Sequence, residues 1–256
     1  MTEAFALDDA ACEAARQSYE AHGFAGPFRA LPAETALDLA GTLLREVGGS
    51  DALFSSRRNR HLDWPLVESL VKARPIVQLA STLLAEELVL WRSQMFFMHA
   101  GKGLRWHQDQ YLTLLADNTQ QVSIHLSLTR TVADNCIRIV PGSHTFSRAE
   151  LAARGFNLIA GSEGGKYGAP NFWRDPAGEL KALPMLLQPG EFFVFHPRLL
   201  HGSRDVTTPV DARPDGGPEA SPRIGLGLRI AAASNTVLPA AFAETLPRPD
   251  CCVTLT

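Results

Sequence analysis

The strongest constraint on the fold is a succession of short strand-like runs with no helical crossover between them. Residues 88–100, LVLWRSQMFFMHA, are rich in aromatic and branched side chains, and QVSIHLSLT at 121–129 alternates apolar with polar. CIRIV (136–140), EFFVFH (191–196) and RIGLGLRIA (223–231) follow, separated by turns rich in Gly, Pro and Asn. Period-two alternation marks a strand with one buried face, and aromatic and β-branched residues suit its pleated surface. Parallel strands need crossovers, so these runs are expected to pair antiparallel as a sandwich or closed barrel.

Helical spacing dominates the first third of the chain. Residues 7–22 place Leu7, Ala11, Ala14, Ala15 and Tyr19 on one face, and His22-Gly23 ends the run. ETALDLAGTLLREV (34–47) is a second helix, stopped by Gly48-Gly49. Asp63 is expected to cap a short helix with Pro65 in its first turn, and a longer helix runs from about Pro75 to Glu87. The expected architecture is mainly β with flanking helices in one domain over 1–256. Helices occupy about 7–87 and the strand-rich core about 88–233. Two Gly/Pro/Ala-rich segments, about 145–181 and 204–221, exceed ordinary connections and are expected to be lids or disordered inserts.

Composition excludes several classes. A formal net charge of −3 gives no reason to expect a nucleic-acid partner. No stretch reaches eighteen uninterrupted apolar residues; PIVQLASTLLAEELVLW (75–91) carries Gln78, Glu86 and Glu87, so a membrane span is not expected. The N-terminus begins acidic and lacks a basic region before an apolar core, unlike a secretion signal. The four cysteines, Cys12, Cys136, Cys251 and Cys252, have no zinc-like spacing. The expectation is a reduced cytoplasmic protein without structural disulfides, acting on a small molecule as a monomer or homodimer.

The chemistry-bearing residues lie in LRWHQDQYL (104–112), where His107 and Asp109 stand two apart. On an extended strand residues i and i+2 point the same way, so an imidazole and a carboxylate can share one ion. RNRHLDW (58–64) offers the same spacing at His61 and Asp63, so spacing alone does not decide. A third ligand is available in PGEFFVFHPRLLHGSRD (189–205), as His196 or His201. Two histidines and one carboxylate leave part of a metal's coordination sphere open, which suits non-heme Fe(II), with catalytic zinc the competitor. In SPRIGLGLRIAAA, Arg223, Gly225, Gly227 and Arg229 share one strand face, opposite Ile224, Leu226, Leu228 and Ile230. The glycines clear space, and either arginine can clamp a carboxylate through two hydrogen bonds; the competing reading is an edge strand with solvated arginines.

Taken together, HQD at 107–109, CIRIVPGSH at 136–144, HGS at 201–203 and Arg223 resemble the phytanoyl-CoA dioxygenase-like family over most of the chain, roughly 21–233. The family consists of Fe(II)- and 2-oxoglutarate-dependent oxygenases on a double-stranded β-helix, a jelly-roll, cupin-like barrel. The resemblance implies that His107, Asp109 and His201 bind Fe(II), and that 2-oxoglutarate and O2 are cosubstrates. It assigns Arg223 to the distal carboxylate, ahead of Arg229, with Gln94 and Ser203 as further candidates for the cosubstrate pocket. It demotes His196 and the His61–Asp63 pair as ligands. Three departures stand out. Asp134-Asn135 replaces the family's Asn-Gly, and Asn tolerates positive φ. His125 stands where relatives often carry Trp, placed to hydrogen-bond 2-oxoglutarate or to pack in the core. DVTTPVDARPDGGPEA (205–220) lengthens the His201-to-Arg223 interval and must loop outward.

The implied reaction is hydroxylation of an unactivated C–H bond with release of succinate and CO2; desaturation, epoxidation and cyclisation share the same centre. Related halogenases carry Gly or Ala in place of the carboxylate, so Asp109 favours hydroxylation. Expected substrates are a small acid, an amino acid or a natural-product intermediate, met by Arg58, His61, Phe96, His144, Trp173 and Arg174. Arg57, Arg60, Phe97, Tyr167 and Phe172 are further candidates in the same basic turn, strand and loop. A cupin-like metalloenzyme without 2-oxoglutarate, or a noncatalytic metal-binding barrel, would need no arginine clamp.

Overall fold

A computed structural model describes residues 5–47, 58–98, 103–110, 115–133, 135–159, 171–174, 182–203, 223–238 and 253–255. Helix α1 (Asp9–His22) begins where the Asp8 carboxylate accepts the Ala11 N–H at 2.8 Å and stops at Gly23, whose φ of 81° ends the turn. Strand β1 (Phe24–Arg29) and helix α2 (Ala33–Val47) follow. A single 3-10 turn, Arg60–Leu62, leads into α3 (Pro65–Val71) and α4 (Arg74–Leu84). Asp63 does not cap α3: Trp64 occupies that position without a side-chain cap, and Asp63 pairs with Arg60 at 2.9 Å.

The strands are β2 (Leu88–Met98), β3 (Trp106–Gln108), β4 (Gln121–Ser127) and β5 (Ile137–Ile139), then, past helix α5 (Arg148–Ala153), β6 (Asn157–Leu158) and β7 (Asn171–Arg174). They continue as β8 (Leu183–Met185), β9 (Glu191–Phe195), β10 (His201–Gly202), β11 (Arg223–Ala232) and β12 (Val253–Leu255). Among the described residues they form two six-stranded sheets, ordered β1-β9-β4-β11-β2-β12 and β6-β7-β3-β10-β5-β8. Every named pairing is antiparallel. The interleaved strand order is that of a jelly roll, as the resemblance implied.

The larger sheet is covered on one side by helices. Leu226, Leu228 and Ile230 of β11, Ile124 and Leu126 of β4, and Leu90 of β2 are buried with Leu43, Val67, Ile76 and Leu79 of the helices. Period two then turns the alternate residues to the opposite face, where register aligns Gly227 with His125 and Gln94, and Arg229 with Ser123 and Arg92. β11 is therefore a central strand, buried along its whole length, and its arginines are not solvated.

Part of the expected 145–181 insert is ordered structure, since α5, β6 and β7 fall inside it; the 204–221 insert lies outside the described residues. The turn expected at Asp134-Asn135 is kept, although Asn135 does not have a positive φ. Instead its side-chain oxygen accepts the Val132 N–H at 2.8 Å, closing the turn through the side chain. Among the described residues no helix is long and apolar enough to cross a membrane.

Candidate metal centre

β3 and β10 lie side by side, with His107 directly opposite His201 and their rings 4.1 Å apart between centroids. Asp109 follows β3 two residues after His107 and points the same way. The reactive atoms of these three side chains all lie within 4.8 Å of one another, and all three residues are buried. Among the described residues they are the one group of this kind close enough to share a metal ion.

Backbone carbonyls set the imidazole tautomers. Nδ1 of His107 lies 2.7 Å from Arg105 O, and Nδ1 of His201 lies 2.9 Å from Leu199 O. A carbonyl only accepts, so each Nδ1 carries the proton and each Nε2 presents a lone pair to the centre. Those nitrogens sit 3.9 Å and 3.7 Å from the two oxygens of Asp109. Burial keeps both rings neutral. It pushes His201 down to about 3, with His107 acting in the same sense and Asp109 opposing, and it lowers His107 against the pull of Asp109.

Asp109 is ionised for the opposite reason. Burial works against its charge, but Arg229, His201, His107 and a Ser123 hydrogen bond together hold the carboxyl well below the usual carboxylate range. Arg229 Nη2 stands 2.6 Å from Oδ2, and Ser123 Oγ donates to the same oxygen at 3.0 Å.

A second set of groups shares the cavity. His107, His201, His125, Arg223, Arg229 and Phe96 all line one cavity inside the barrel. Arg223 is 1% exposed and donates from Nη1 to Asn135 O. Its Nε and Nη2 are buried without a hydrogen-bond partner among the described residues, as is Nε2 of His125. Burial pushes Arg223 down only to about 10, so it is a cation at neutral pH. Burial, followed by Arg223 and Arg229, drives His125 well below the ordinary imidazole range and keeps it neutral. Gly225 and Gly227 make the room: a Cβ on Gly225 would lie 2.6 Å from the His125 ring, and one on Gly227 2.8 Å from Phe96.

The remaining candidates are dispersed. His61 hydrogen-bonds Ser93 Oγ at 2.7 Å, on the helix-facing side of β2. His144 lies 3.2 Å from Glu20 O and 5.3 Å from His196 between ring centroids, outside the cavity. Ser203 accepts the Leu104 N–H at 2.9 Å and so braces the chain entering β3. Trp173 packs with Leu151, Phe156 and Leu200 on the outer side of the smaller sheet. Gln94 is buried beside Gly227 in register, with Nε2 on Met95 O at 3.1 Å, and Arg58 bridges its backbone. Arg57 and Tyr167 lie outside the described residues, as do the side chains of Phe172 and Arg174. Ser123 was not singled out from sequence, although its signal was present: in QVSIHLS the residues Gln121, Ser123, His125 and Ser127 make one wholly polar strand face.

No curated protein sequence matches this chain. Solved structures do. The non-heme alpha-ketoglutarate-dependent carbocyclase SnoK from nogalamycin biosynthesis has a TM-score of 0.67 at 16% identity, covering 98% of this chain and 97% of its own. CytC3 with Fe(II) and alpha-ketoglutarate aligns with a TM-score of 0.62 at 20% identity, over 92% and 81% of the two chains. EctD from S. alaskensis gives 0.64 at 16% identity, over 94% and 82%. At these identities the likeness is one of fold. The family model for phytanoyl-CoA dioxygenase (PhyH) matches residues 6–214, a span that includes His107, Asp109 and His201 and ends before Arg223. The chain belongs to the phytanoyl-CoA dioxygenase family.

Proposed function

We propose that this protein is an Fe(II)- and 2-oxoglutarate-dependent oxygenase that hydroxylates a small molecule, an acid, an amino acid or a natural-product intermediate, releasing succinate and CO2. The observation that carries the reading is Arg223. A charged guanidinium with two donors unpartnered among the described residues, buried in the same cavity as a His-Asp-His set, calls for an anion. A metal-binding barrel without a carboxylate cosubstrate leaves that charge unexplained.

His107 and His201 would hold Fe(II) through Nε2 and Asp109 through a carboxylate oxygen; bound there, the metal with O2 supplies the oxidising chemistry. Arg223 would pair with the distal carboxylate of 2-oxoglutarate, its Nε and Nη2 being the donors without a partner among the described residues. His125 lines the same cavity, with Nε2 buried and without a partner among the described residues, and fills the position where relatives often carry Trp. Asp109 occupies the place that halogenases leave to Gly or Ala, which favours hydroxylation. The barrel interior excludes water from these contacts and so strengthens them.

Succinate formation tests the reading directly. With Fe(II), 2-oxoglutarate and O2 the protein should form succinate, and Arg223→Ala should raise the 2-oxoglutarate concentration needed by about tenfold or more. Succinate formation that ignores Fe(II), or an unaltered Arg223→Ala variant, would overturn it.

A further inference from the structure

We propose that His125 is a cosubstrate-binding residue: beside Arg223 it supplies a further hydrogen-bond donor to the distal carboxylate of 2-oxoglutarate, and so makes the protein select 2-oxo acids that carry that carboxylate. The proposal rests on the oxygenase reading above and concerns a side chain that sets this chain apart from its relatives, which often carry Trp there.

β4 carries His125 opposite Gly227 of β11 and Phe193 of β9. The ring lies 6.3 Å from Phe96 and 6.0 Å from Phe193 between centroids. It leans over Gly225, where a Cβ would stand 2.6 Å from Cε1 and 2.9 Å from Nε2. Gly225 is two residues from Arg223 on the same strand face, so the imidazole lies on the Arg223 side of its own register partner. Nε2 of His125 is buried without a partner among the described residues, as are Nε and Nη2 of Arg223, whose Nη1 donates to Asn135 O. Both side chains line the one cavity.

Packing alone does not call for a nitrogen here. Phe96 and Phe193 flank the ring, and a third phenyl would close an apolar wall without burying a polar atom. A nitrogen in this place costs stability until a partner meets it. Burial, followed by Arg223, keeps the imidazole neutral, so it adds a donor and no charge. A carboxylate offers about four lone-pair sites, enough for two guanidinium donors and one imidazole N–H. A methyl group in the same place accepts none of them. The contribution of His125 therefore appears only for ligands that carry the distal carboxylate, whereas damage to the barrel weakens every ligand.

The test uses the full chain loaded with Fe(II) under argon. Calorimetry measures its affinity for 2-oxoglutarate and for 2-oxovalerate, in which a methyl group replaces the distal carboxylate. His125→Phe should lose about tenfold or more in 2-oxoglutarate affinity and keep the parental affinity for 2-oxovalerate. His125→Gln, whose amide N–H can stand in for Nε2–H, should recover most of the loss. Should His125→Phe not fold, His125→Leu carries the same expectation. A parental preference for 2-oxoglutarate in His125→Phe assigns the ring to packing and overturns the proposal. Equal loss for both ligands, or a His125→Gln variant no better than His125→Phe, overturns it too, and all three outcomes leave the oxygenase reading intact. A parent protein that binds 2-oxovalerate as tightly as 2-oxoglutarate overturns the place given to Arg223 in that reading, and this proposal with it.

Discussion

Gly225 and His125 show how closely single residues are fitted inside the barrel. A methyl group on Gly225 would meet the imidazole at 2.6 Å and Leu126 O at 3.1 Å. Gly225→Ala should destabilise the protein by about 1–3 kcal/mol in urea unfolding, and His125→Ala in the same chain should recover much of that loss. His196, outside the site, supplies a pH-dependent term. Burial, with His144 and Arg198 acting in the same sense, pushes it from 6.5 to about 4. The unfolded chain takes up that proton first as pH falls, so the stability this group contributes is full above pH 6.5 and is lost progressively toward pH 4. In chelator-treated protein, His196→Phe should therefore flatten part of the fall in urea midpoint across that window. An identical pH slope in parent and variant would refute the assignment. At this scale the candidate ligands were legible only in part: His107 and Asp109 share the spacing of His61 and Asp63, and the choice of His201 over His196, which ends the apolar run, came with the family resemblance. The division of labour between Arg223 and Arg229 was not legible from the residues alone. Both face the same way from one strand; the resemblance ranked Arg223 first, and the structure adds that Arg229 lies against Asp109.

Strand β11 carries two functions on its two faces. One face, Ile224, Leu226, Leu228 and Ile230, is buried in the helix-covered core, while the other supplies Arg223 and Arg229. Leu228→Ala should cost about 2–5 kcal/mol of stability, while the variant that remains folded keeps parental 2-oxoglutarate affinity. A loss of affinity without loss of stability would mean that the faces are not separable in this way. Alternation made β4 and β11 readable from sequence, since period two is strict in both. Strand β1 was not recognised, because FAGPFR interrupts its pattern with Gly26 and Pro27, and it is tertiary pairing with β9 that makes it a strand. Asp63 failed as a cap for a related reason: its local signal was correct in kind, but Arg60 is close enough to take the carboxylate.

On the scale of the whole molecule, helices cover one face of the larger sheet, and strands of both sheets bring the site residues together inside the barrel. β3 and β10 of the smaller sheet contribute His107 and His201, and β4 and β11 of the larger contribute Ser123, His125 and the arginines. A run of antiparallel strands was legible in the sequence; how the two sheets interleave was implied only by family resemblance, because strand order is a non-local property. The central claim is that this His-Asp-His set and Arg223 bind Fe(II) and 2-oxoglutarate together. Anaerobic titration of the Fe(II)-loaded protein with 2-oxoglutarate measures it most directly. The expected result is a weak visible charge-transfer band that saturates with added 2-oxoglutarate and is greatly weakened in Arg223→Ala. An iron-loaded protein that develops no such band contradicts the claim, and a band that persists undiminished in Arg223→Ala contradicts the place given to that arginine.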